Sequence, residues 1–93
     1  MQTFKQFASE KRKAAAAKYG LTMTEISEEM PDSVFRADWR DSVVAGFNAG
    51  EDIPTRLWRE LDEGLRYRIL RSPRALKDDT LTRSLRSKSP ETL

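Results

Sequence analysis

Phe35, Trp39, Val43 and Phe47 recur every four residues, with Arg36, Asp38, Arg40 and Asp41 set between them. That spacing puts four large apolar side chains on one line of an α-helix and leaves the charges to water. It does not fit a strand, whose sides alternate every second residue. Helical signals continue on both sides. Thr3 to Lys18 is rich in strong helix formers, including the run Ala14 to Ala17, and Gly20 follows where a left-handed helix end is expected. Thr22 and Glu25 spell a capping box for a short second helix, with Ile26 and Met30 inward, and Pro31 closes it. Asp32 or Ser33 caps the third helix, and Gly50 stops it. Gly46 inside it costs about 1 kcal/mol relative to alanine. Ile53-Pro54 restarts the chain. Leu57, Trp58 and Leu61 then form one apolar face, and Leu65, Ile69 and Leu70 another, as two short helices or one kinked at Gly64. Alternating strand patterns and Asn-Gly or Asp-Gly hairpin turns are missing. The expected fold is all-α, a bundle of four or five short helices.

With 93 residues the chain has room for one domain, and at 38% hydrophobic and 34% charged content its core must be lean. The apolar positions from Phe4 to Leu70, Tyr19 and Trp58 among them, suffice for a helical domain over residues 1–71. Beyond Arg71 two prolines and several serines and threonines dilute the apolar residues. Residues 72–93 therefore read as a flexible basic C-terminal tail, ordered on contact. Within it Ser72-Pro73 can cap a short turn, and Leu81 and Leu85 stand one turn apart.

The net charge of +2 conceals a segregation. Residues 1–20 carry +4, residues 21–63 carry −7 and residues 64–93 carry +5. Basic ends either fold against the acidic middle or present cations to an anionic partner.

Several chemistries have no residues to carry them. Without His or Cys the chain lacks the usual general base, thiolate nucleophile and commonest metal ligands. The glycines around Phe47 lack the Lys-Ser/Thr of a phosphate loop, and adjacent acids such as Glu28-Glu29 and Asp78-Asp79 point apart on a helix. No catalytic residue, cofactor or metal is expected. The chain has no apolar run of membrane-spanning length, and its first twenty residues lack the apolar middle of a secretory signal. A cytoplasmic location without membrane attachment is expected.

The stretch 18–40 resembles the phage-repressor type of helix-turn-helix regulator. The resemblance lies in Gly20-Leu21-Thr22, Glu25-Ile26-Ser27, Met30, and Ser33 after the turn. It implies a recognition helix whose Ser33, Val34, Arg36 and Arg40 approach a DNA major groove. Pro31 and Asp32 depart from the usual glycine and apolar residue of the turn. Glu25, Glu28, Glu29, Asp32, Asp38 and Asp41 would also meet phosphates unfavourably.

Two binding surfaces follow from residue type alone. Arg66, Arg68, Arg71, Arg74, Lys77, Arg83, Arg86 and Lys88, with Tyr67 interleaved, can track nucleic-acid phosphates without reading sequence. Trp58, flanked by Arg56 and Arg59 and one step off the Leu57–Leu61 line, is expected on the shoulder of the core. With Tyr67, these make the aromatic and cationic mixture found at protein-interface hot spots. The acidic middle favours a protein partner over DNA. The expected function is therefore a stoichiometric binding protein (an adaptor, inhibitor or antitoxin-like regulator), with a nucleic-acid-binding regulator as the alternative.

Overall fold

Side-chain caps set where most of the helices begin. In the computed structural model, which describes residues 1–89, Thr3 opens α1 (Phe4–Tyr19) with a capping box closed by Gln6. Thr22 and Glu25 open α2 (Met23–Glu29) in the same way. Gly20 ends α1 in the left-handed conformation, at φ 66, which glycine adopts without steric cost. α3 (Ser33–Asn48) runs through Gly46, and the Glu51 carboxyl lies against the face where a side chain on that glycine would sit.

Four further helices follow: α4 (Thr55–Glu60), α5 (Glu63–Leu70), α6 (Pro73–Leu76) and α7 (Asp79–Lys88). No strand occurs among the described residues, so the fold is all-α, as expected. The break between α4 and α5 falls at Leu61-Asp62, not at Gly64. Leu61 is buried with an extended backbone, and the Asp62 carboxylate accepts the Leu65 N–H at 2.8 Å, so a new helix starts there. Gly64 needs no positive φ and lies inside the first turn of α5.

The helices fall into two units. The first, Gln2–Ser42, holds α1, α2 and the first part of α3. Its interior is built from Phe7, Ala8, Ile26, Phe35 and Trp39. The Trp39 indole N–H donates to the Gln2 carbonyl at 3.0 Å, and Phe4 meets the Trp39 ring edge-on. Arg12 ties α1 to the turn before α3. Its Nε and Nη2 donate to the Met30 carbonyl, Nη2 pairs with Asp32 at 2.9 Å, and the guanidinium lies over Phe35. Tyr19, expected in the core, is 64% exposed because α1 ends there and the chain turns away at Gly20.

The second unit covers residues 43–89. Val43, Phe47, Leu57, Trp58, Leu65 and Ile69 form the centre of its core. Residues 72–89, expected as part of a flexible tail, instead form α6 and α7, and bury Ser72, Ala75 and Leu85. The reason is economy of apolar contact: α7 packs against α4 and α6, and covers what the lean core leaves open. Hydrogen bonds hold it there, from Thr82 Oγ1 to the Ala75 carbonyl at 2.8 Å and from Trp58 Nε1 to Ser89 Oγ at 3.0 Å. The expected tail's last residues, 90–93, lie outside the described residues.

Candidate functional site

The sequence of α7 divides its surface into two lines. Leu81 and Leu85, one turn apart, turn toward the unit's interior. Asp79, Thr82, Arg83 and Arg86 stand at i, i+3, i+4 and i+7, so they share another face. The Asp78 carboxylate accepts the Leu81 N–H at 3.0 Å and fixes where that register begins. Beside this face, Leu70 at the end of α5 and Leu76 at the end of α6 complete a groove of about 350 Å³.

The groove mixes apolar and cationic groups. Leu76 is 69% exposed, an unusual state for a leucine beside a cavity, and Leu70 is half-buried. Arg83 and Arg86 are exposed, and neither side chain forms an ion pair or hydrogen bond with another described residue. Asp79 supplies one carboxylate on the same face. Such a site can bury an apolar side chain while its guanidinium groups pair with carboxylates or phosphates.

The sequence-derived candidates are distributed differently from expectation. Trp58 is 0% exposed, so the expected shoulder patch with Arg56 and Arg59 does not form. Its indole is enclosed because α7 covers the side of α4 that a free tail would have left open, and Ser89 receives the N–H. Arg56 is exposed and stands 3.9 Å from Glu60 one turn on. Arg59 donates to the Lys88 carbonyl, and Arg66 donates to the Arg59 carbonyl, both at long range. Tyr67 remains a surface residue at 59% exposure, with the Arg71 guanidinium over its ring at 4.8 Å. Arg68 is exposed and has a partner of its own, and Lys88 is half-buried.

Arg74 serves the fold. Its Nη1 donates to the carbonyls of Phe47 and Glu51, at 2.9 and 2.8 Å, and Nη2 pairs with Asp52 at 3.0 Å. The guanidinium also lies over the Phe47 ring, and the Arg74 backbone N–H donates to Asn48. Within residues 18–40, Val34 is 48% exposed. Arg36 stacks on Phe4 at 3.7 Å, and Arg40 is half-buried with a partner.

Comparison with protein families, curated proteins and solved structures finds no match for this chain. Its chemistry must be read from its own residues. Among the described residues no group of three or more acidic, His or Cys side chains is placed to hold a metal ion. No helix among them is long and apolar enough to cross a membrane. Leu76 was the signal that sequence reading passed over. It follows the Ser72-Pro73 helix start and precedes the Asp78 cap, so it had to end a very short helix, but its neighbours across the groove depend on the packing of α7.

Proposed function

We propose that this chain is a small non-catalytic binding protein that forms a stoichiometric complex with a protein partner, as an adaptor, inhibitor or antitoxin-like regulator does. The groove lined by α5, α6 and α7 receives the partner. The observation that carries this reading is the exposed Leu76 beside Arg83 and Arg86, whose side chains pair with no other described residue. An apolar side chain held in water beside a cavity is stabilised when a partner covers it. Arginine is enriched in interface hot spots, and its planar fork pairs with carboxylates in two directions. The matching segment presents an apolar side chain flanked by Asp or Glu.

The test is co-purification from the native host after nuclease treatment, with the wild-type chain beside Leu76→Asp and the double variant Arg83→Glu, Arg86→Glu. A protein should persist through nuclease and be lost with both variants, because each removes one half of the recognition. Retention by both variants would refute the groove.

The alternative partner is nucleic acid. It is favoured by the exposed Tyr67 with Arg71 stacked upon it, and by the same Arg83 and Arg86. An exposed ring accepts a base face while guanidinium groups contact phosphates. This reading requires a nuclease-sensitive complex whose affinity falls steeply with added salt.

A further inference from the structure

The first unit carries a groove of opposite character. Tyr19, Leu21, Ile26 and Met30 form its apolar surface, and its volume is about 380 Å³. Glu25, Glu28 and Glu29 rim it, at i, i+3 and i+4 on α2, so all three carboxylates share one helix face. No basic side chain lines it. Glu28 and Glu29 are exposed and form no ion pair with another described residue. Arg12, which reaches Met30 from α1, is already committed to Asp32 and to the Met30 carbonyl. Tyr19 adds aromatic surface beside the carboxylates: it is 64% exposed, with the chain's own Lys18 ammonium 5.3 Å from its ring centre.

We infer that this groove docks a cationic amphipathic segment of a second protein, its apolar residues on Leu21, Met30 and the Tyr19 ring and its Lys or Arg side chains on Glu28 and Glu29. Charge complementarity selects the occupant. An acidic segment or a phosphate backbone would meet three carboxylates that form no ion pair with another described residue, whereas a basic helix satisfies them and covers the apolar floor. The inference concerns a different surface from the α5–α7 groove and stands or falls without it. Together the two grooves give one small chain two docking surfaces of opposite charge, the arrangement of an adaptor.

The test uses the full-length chain and a synthetic amphipathic Leu/Lys helix-forming peptide, with the matching Leu/Glu peptide as control, followed by fluorescence anisotropy. The Leu/Lys peptide should bind, and added salt should weaken it. Glu28→Lys with Glu29→Lys should weaken binding about tenfold or more. These two positions are exposed and end α2, where lysine suits the helix dipole, so the variant should keep its helical spectrum. Tyr19→Ser, which changes no charge, should also weaken binding. Equal binding of the Leu/Glu peptide, or no effect of the double reversal, overturns the inference. An unaffected Tyr19→Ser variant overturns it too, since binding would then be charge adsorption alone. Sedimentation of the chain without peptide completes the test: self-association abolished by the double reversal would place a second copy in the groove, and overturn the assignment of a different protein.

Discussion

At the residue scale, Trp58 shows how a local wheel argument fails against packing. Its place one step from the Leu57–Leu61 line predicted a shoulder position, and that geometry is correct for α4 alone. α7 then covers the shoulder, leaving the ring fully buried with its N–H on Ser89. Removing it should therefore act on stability first. Trp58→Ala should cost about 3–5 kcal/mol, a large share of the stability of so small a protein, and collapse the thermal midpoint. A midpoint within a few degrees of wild type would contradict the burial. Arg12 and Arg74, each with several partners inside the chain, show the same limit. Sequence offers each as a surface charge, while the structure spends their forked geometry on backbone carbonyls, an aspartate and an aromatic face.

At the scale of elements, the start of α2 was legible because a cap is a local event. Thr22 and Glu25 need only each other and three residues of backbone. The Thr22 backbone N–H and then its hydroxyl hold the Glu25 carboxyl below its ordinary value. A carboxyl whose folded value is depressed adds stability that is fully present above its unfolded value. That stability is lost as pH falls through the folded value. Acid should thus loosen α2 below the ordinary glutamate range. Thr22→Ala should cost about 1 kcal/mol in urea unfolding, and should return the Glu25 titration, followed by NMR, toward the ordinary value. An unmoved titration would show that the cap does not hold the carboxyl. The α4–α5 break was placed wrongly, at Gly64, because a glycine advertises flexibility while Asp62 and the burial of Leu61 decide where the helix ends.

For the whole molecule, helices account for about three quarters of the described residues, so far-ultraviolet circular dichroism should give a helix-dominated spectrum; a sheet-dominated one would end the account given of every element. The four-residue recurrence of Phe35, Trp39, Val43 and Phe47, the caps and the breakers made the all-α fold readable, because helix periodicity and capping are satisfied within a few residues of chain. The same local chemistry supplied the residues of both grooves without joining them. Leu76 and Arg83 belong to different helices, and Tyr19 and Glu29 to others again. The apparent tail is the clearest case. Composition made residues 72–89 polar enough to float, yet Ser72, Ala75 and Leu85 are buried, since a few well-placed contacts over a lean core outweigh average composition. Sequence by itself determined the first three helices, the Thr22 capping box and the charge of each segment, all set by near neighbours along the chain. Tertiary structure alone decided that Trp58 is enclosed, that Arg74 is a structural cation and that Leu76 faces a groove, because each depends on a helix distant in sequence arriving beside it.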